Sequence, residues 1–241
     1  MQTGQKKSLP SAGETLNTYF VKRSFVPPIT PGTSLPRWNG AAWKGANVLD
    51  VSHYLPQSSD HRPVTQVKLL HDDASVYVLF RVIDRYVRAV RTAYQSDVWN
   101  DSCVEWFVRP KPGKGYFNFE INCIGTLHVH YVEDPARVNG TLKKSTPVPE
   151  ETARLLVIQT SVTSVVDPEI PGPLEWYAGL TAPLSFFEPF VGPIGIMAGQ
   201  TWRANFNKCG DQTSHPTWAT WNPVSEPNFH RPDEFGEISF E

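Results

Sequence analysis

The sequence predicts an all-β fold, an antiparallel β-sandwich of about ten strands with one or two short helical turns. Three observations carry this. There are 22 prolines among 241 residues, a density that punctuates strands and works against long helices. Short runs rich in β-branched and aromatic residues recur along the chain. Between them stand clusters of Gly, Pro, Asp and Ser, the residues that reverse a chain.

The polar residues 1–16 are expected to be disordered, as termini commonly are, and residues 17–241 to form a single domain. The first runs are 19–25, 64–70 and 76–83, and HDDAS at 71–75 joins the last two as a hairpin loop. Runs 103–109 and 116–122 flank PKPGKG at 110–115, a second hairpin. Later runs are 127–132, 155–166, 174–180, 201–207 and 236–240. Helical character is confined to 86–94 and 183–190, both short. No repeat or low-complexity linker divides the chain.

Composition excludes several classes. Lys plus Arg total 22 and Asp plus Glu 24, a net charge of -2, with no basic run to neutralise phosphates, so nucleic acid is not expected as a partner. No stretch approaches the roughly 18 to 20 apolar residues that cross a bilayer, so no membrane partner is expected either. The N-terminus MQTGQKKSLP lacks the apolar core of a signal peptide. Cys103, Cys123 and Cys209 are odd in number and lack C-x-x-C spacing; buried thiols are expected, with neither a disulfide framework nor a zinc site indicated.

Alternation places Val104, Trp106 and Val108 on one face of their strand and Cys103, Glu105, Phe107 and Arg109 on the other. On the returning strand Asn118, Glu120 and Asn122 share the second face, and on run 201–207 so do Arg203, Asn205 and Asn207. An antiparallel sheet commonly has a solvated outer face. Such faces use Lys, Glu and Thr, whereas this one is rich in Asn, Arg and Glu, planar groups that read vicinal hydroxyls with paired hydrogen bonds. A sugar site needs those groups and an apolar platform. Trp99, with Trp218 and Trp221 in SHPTWATWNP, could supply it.

At VWNDSCVEWFVRP (98–110) the chain resembles the family 9 carbohydrate-binding modules, within the broader DOMON-like β-sandwich group. The resemblance extends through Trp43 in WNGAAWKGA, YVLFRVID (77–84), YFNFEINCIGTL (116–127), WRANFNKCGD (202–211), WNP (221–223) and FHRPDEFGEISF (229–240). Such modules hold a sugar, often a chain's reducing end, between two tryptophans, with a glutamate shortly after the first. The resemblance implies Trp99 and Glu105 in the first two roles and Trp221 in the third, with Trp218 competing. In an extended segment residues 218 and 221 face opposite ways, so only one can join the pair. It also implies Asn118, Glu120 and Asn122 as polar contacts, a mono- or oligosaccharide partner and a secreted or periplasmic location. Structural calcium occurs in such modules, and no D-x-D-x-D loop places one here.

His128 and His130 in LHVHY share a strand face and could contact a ligand, or hold a metal if Glu120, Glu133 or Asp134 supplied a third donor. Glu105 and Glu120 could form a glycosidase pair, which makes a carbohydrate-active enzyme the alternative function. Their Asn and Arg neighbours favour ionised carboxylates, which argues for binding without turnover. Haem binding would need well-placed axial ligands, and Met197 is the only methionine besides the initiator. Arg85, Arg88 and Arg91 form a local basic stretch around Tyr86, read as a solvated loop.

Overall fold

The computed structural model describes residues 16–32, 35 and 37–241; of the segment expected to be disordered, residues 1–15 lie outside the described residues. β1 (Thr18–Arg23) leads to the short β2 (Leu49–Asp50) and β3 (His53–Tyr54), then to the hairpin of β4 (Val64–His71) and β5 (Ser75–Asp84). β6 (Val87–Ala89) precedes a second hairpin, β7 (Cys103–Arg109) and β8 (Tyr116–Asn122), and a long arm, β9 (Leu127–Val138) and β10 (Thr141–Pro147). After α1 (Glu150–Ala153) come β11 (Val157–Thr160), β12 (Val166–Ile170) and β13 (Leu174–Pro183). After α2 (Leu184–Val191) come β14 (Thr201–Cys209), β15 (Ala219–Thr220) and β16 (Gly236–Phe240).

The strands form the two layers of a sandwich. One follows the order β10-β9-β8-β7-β14-β16-β1 and the other β1-β4-β5-β13-β11. β1 belongs to both: Thr18 to Val21 pair with β16 and Lys22 and Arg23 pair with β4, in each case parallel. All other pairings among the described residues are antiparallel, both the hairpins such as β4–β5 and β7–β8 and the long-range pairs β5–β13 and β7–β14. Turn chemistry sets the hairpins. Asp72 Oδ1 accepts from the amides of Ala74 and Ser75 at 2.8 Å, closing the β4–β5 turn.

The core fills the space between the layers. Phe80 of one layer meets Phe206 of the other at 6.1 Å between ring centroids, and Trp106 stacks on Phe119 at 5.1 Å. α2 adds Phe186 and Phe187, which pack on Phe117, Phe119 and Trp202. Three expectations are corrected here. Residues 86–94 are not helical: Tyr86 takes a left-handed φ of 58°, and Val87 and Ala89 then bury as a strand against β12. The run 155–166 is not one strand: it holds Val157–Thr160 and, at its last residue, the start of β12, with α1 ending just before it. Trp221 is an interior residue, 6% exposed, in contact with Phe206 at 5.7 Å. β15 is extended, so Trp221 follows Ala219 inward while Trp218 leaves the other side.

Candidate functional site

β7, β8, β9 and β14 bring one residue each into rows across the outer face of their sheet. One row runs Asn207, Glu105, Glu120, His128, and the next runs Asn205, Phe107, Asn118, His130. This face is not solvated. Val98, Cys103 and Cys209 form an apolar cluster on it under Trp99, Trp218 and Phe229, and Phe107 and Tyr116 pack with Phe235 and Val132 beside it. Between these covers remains a cavity of about 650 Å³. Its floor includes Glu105, Asn118, Glu120, His128 and His130, and its apolar walls include Trp99 and Trp218.

The two indoles are linked. Asp211 donates its amide to the Trp99 carbonyl at 3.0 Å and accepts from Trp218 Nε1 at 2.7 Å. Both rings are half-buried, as a platform open to a ligand must be. His128 meets Trp99 edge-on at 5.1 Å and lies parallel to His130 at 4.5 Å. His130 is fixed in turn by Ser145 at 2.7 Å and, through its amide, by Asn118 Oδ1 at 2.8 Å.

The floor carries a hydrogen-bond chain with free ends. Asn118 Nδ2 donates to Glu120 Oε1 at 2.8 Å, while Glu120 Oε2 has no partner among the described residues. Glu105 accepts from Asn207 Nδ2 at 3.1 Å and from the Cys209 thiol at 3.0 Å. Glu105 and Glu120 are 3% and 4% exposed and stand directly opposite in the ladder. Burial pushes Glu105 up to about 7, and burial with the facing Glu105 charge drives Glu120 well above the usual carboxylate range. The expectation that Asn and Arg neighbours keep both ionised is therefore overturned: on this face Arg203 binds the Phe235 carbonyl and Arg109 faces Asp233, and desolvation dominates.

The imidazoles shift the other way. Burial lowers His128, takes His130 down to about 4 and takes His230, which joins the same wall, down to about 3. Near neutral pH the floor is a set of neutral donors and acceptors with at most partial carboxylate charge.

Three expected site residues are brackets. Arg203 Nε donates to the Phe235 carbonyl at 2.8 Å. Asn205 exchanges bonds with the Asn222 backbone at 3.0 and 2.8 Å. Asn122 donates to the Arg91 carbonyl and to Asp101, each at 2.9 Å. They hold the covering segments onto the sheet and do not line the cavity. Trp221, buried in the core, is likewise outside it. Sequence reasoning missed Arg137, Asp211, Phe229 and His230, which reach the cavity from loops and from the β9–β10 arm. It also missed that the buried Cys103 and Cys209 meet: among the described residues the group of three donors close enough to share a metal is Cys103, Glu105 and Cys209, not a His128 and His130 set.

A family model for carbohydrate-binding family 9 matches residues 44–240. The fold is similar to the crystal structure of a candidate carbohydrate-binding protein from Bacteroides uniformis, with a TM-score of 0.79 and 26% identity over 94% of this chain and 100% of that one. It is also similar to a family 9 carbohydrate-binding module from Caldicellulosiruptor kristjanssonii. The glucose complex of that module gives a TM-score of 0.58 at 16% identity, covering 93% of this chain and 96% of that one. Its cellotriose complex gives 0.59 at 15% identity, covering 93% and 94%. No curated protein matches the chain.

Proposed function

This chain belongs to carbohydrate-binding family 9, and from that membership we propose that it holds a mono- or oligosaccharide in the cleft between Trp99 and Trp218, without cleaving it. The observation that carries the reading is the pairing of two half-buried indoles with a floor of largely neutral polar groups in one cavity. Indole faces pack against pyranose C–H surfaces, and Glu105, Asn118, Glu120, His128 and His130 present donors and acceptors to the hydroxyls. The orphaned Glu120 Oε2 is the strongest single invitation, since a buried polar atom without a partner is costly until a ligand supplies one. A volume of about 650 Å³ falls within the roughly 300–1,000 Å³ of small-ligand pockets. A sugar chain end, as the family resemblance implies, suits a cavity walled by the β9–β10 arm through Gly140 and Thr141.

One observation favours a second reading, a carbohydrate-active enzyme using the same face. Glu105 and Glu120 are buried, face each other across one ladder and hold protons unusually tightly, which is the electrostatic condition for an acid and base pair. Isothermal titration of the protein against a panel of mono- and oligosaccharides, with product analysis of the same mixtures, separates the two. The binding reading predicts heat of saturable binding and unchanged sugars. New products would transfer the assignment to the enzyme.

A further inference from the structure

At the cavity floor lies a donor cluster of which the sugar reading uses Glu105 alone. Cys103 and Cys209 stand opposite one another in the β7–β14 ladder, and Glu105 follows two residues along β7 on the same face. The two sulfurs and a carboxylate oxygen of Glu105 all lie within 4.8 Å of one another. Cys209 and Glu105 line the cavity, while Cys103 packs behind them with Val98. All three side chains are buried.

The contacts within the cluster are few: the Cys209 thiol donates to Glu105 Oε1 at 3.0 Å, Asn207 Nδ2 donates to Glu105 Oε2 at 3.1 Å, and Cys103 Sγ lies 3.6 Å from the Val104 carbonyl. Burial pushes the Cys103 thiol up to about 11 and the Cys209 thiol well above its usual value, so each stays protonated unless a cation displaces the proton. The neighbouring cation, Lys208, points to the other face of β14, where its ammonium pairs with Asp84 at 3.2 Å and the Cys209 carbonyl at 2.9 Å. Two acceptors beside Glu105 are orphaned: Asn207 Oδ1, on the side chain that donates to it, and Glu120 Oε2, on the residue facing it. Two thiols and a carboxyl are thus gathered beside two acceptors that lack donors, an arrangement a bound cation would complete.

We propose that Cys103, Glu105 and Cys209 form a site for a thiophilic divalent cation of the zinc class, with its remaining coordination position open to the cavity. Two sulfurs and one carboxylate form a borderline-soft set that suits this class and not calcium or magnesium, which take six or more oxygens. The donors come from adjacent central strands and are already gathered. On binding, the two thiol protons, and the Glu105 proton where that carboxyl holds one, pass to solvent, so affinity rises with pH. The site goes beyond the sugar reading and stands without it. Because Glu105 belongs to both, an occupied site changes what the cavity floor presents to a sugar.

The test uses the full chain, reduced and chelator-treated, titrated with Co²⁺ as the probe and then with Zn²⁺. The expected result is one equivalent of Co²⁺ with a sulfur-to-cobalt charge-transfer band and tetrahedral d–d bands, displaced by Zn²⁺. Cys103→Ser and Cys209→Ser each abolish the two-sulfur spectrum, and Cys123→Ser leaves it intact. Glu105→Gln keeps sulfur bands but weakens binding by at least the roughly 10–100-fold that loss of an outer-shell partner costs. Circular dichroism confirms the fold of each variant, and Cys103→Val replaces Cys103→Ser if the latter unfolds. Absence of the charge-transfer band in wild type with three titratable thiols would overturn the site. So would a band that survives loss of Cys103, or a single titratable thiol after reduction, which would mean a closed Cys103 to Cys209 disulfide. Sugar titrations of the metal-free and Zn²⁺-loaded protein run in parallel. If the metal site fails, the metal-free protein still binds sugar; if the sugar reading fails, the cobalt spectrum remains.

Discussion

Trp218 and Trp221 sit three residues apart on an extended segment, and their rings therefore leave it in opposite directions. Trp218 faces the cavity with its indole N–H on Asp211, whereas Trp221 packs on Phe206 inside the sandwich. Trp218→Ala should weaken sugar binding by on the order of 1–3 kcal/mol while leaving the unfolding midpoint nearly unchanged. Trp221→Ala should do the reverse, costing about 3–5 kcal/mol of stability. Urea unfolding of the two variants checks the pair, and a Trp218→Ala variant as unstable as Trp221→Ala would return both rings to the core. The floor residues give a pH dependence. Glu105, up to about 7, and Glu120, also well above the usual carboxylate range, bind protons more tightly folded than unfolded, so they take stability away as pH rises from the ordinary carboxylate range through about 7. His130, down to about 4, and His230, down to about 3, are neutral in the fold, so they take stability away as pH falls below about 6.5. Between about 6.5 and 7 the histidines no longer oppose the carboxyls. The thermal midpoint should therefore fall as pH rises from about 6.5 through about 7, and Glu120→Gln should remove much of that fall. A midpoint that climbs across this range would contradict the burial of the pair.

At the scale of elements, local pattern predicts what local pattern causes. The runs 103–109 and 116–122 coincide with β7 and β8, because alternation and a Pro/Gly-rich turn fix a hairpin without help from distant residues; the run 236–240 coincides with β16 through its alternation, although that strand's partners β1 and β14 are distant in sequence. Residues 86–94 misled because their Arg and Ala suit a helix, while the strand β6 exists only through its pairing with β12, about eighty residues on. The brackets Arg203, Asn205 and Asn122 misled differently. Alternation put them on the right face, and only the path of the covering loops decides which polar residues on that face meet the cavity and which meet backbone. One of those covers is tied down at Gly236, the first residue of β16. A Cβ there would lie 2.6 Å from the Trp221 ring and 2.7 Å from the Asn17 carbonyl. Gly236→Ala should thus cost about 1–3 kcal/mol, read by urea unfolding, through overpacking between β16 and Trp221. An unchanged midpoint would mean that this seam is looser than the fold requires.

Across the whole molecule, strand count and turn spacing made the sandwich legible, but not what joins its layers. β1 bridges them by two parallel pairings, and a buried tie crosses from β14 to the end of β5, where Lys208 pairs with Asp84 at 3.2 Å and His61 adds a 2.7 Å bond. Burial pushes Asp84 up, and the Lys208 charge and the His61 bond more than offset it, leaving the carboxyl below its usual value. Lys208→Ala would leave that charge buried with one partner fewer, an expected loss of about 3–5 kcal/mol, and Lys208→Met with Asp84→Leu should recover most of it. Equal losses in the single and double variants, measured by denaturant unfolding, would deny the tie. The same long-range closure hid part of the site: Cys103 and Cys209 meet across a ladder that no spacing rule reveals, and Trp99 meets Trp218 through Asp211. The central claim is that sugar binds between those two indoles, and isothermal titration of wild type and Trp218→Ala side by side, with the same sugar panel, tests it most directly. The account predicts saturable binding by wild type and a loss of roughly 5- to 150-fold in the variant, the fold-change equivalent of about 1–3 kcal/mol. Wild-type affinity retained in a folded Trp218→Ala variant would contradict it.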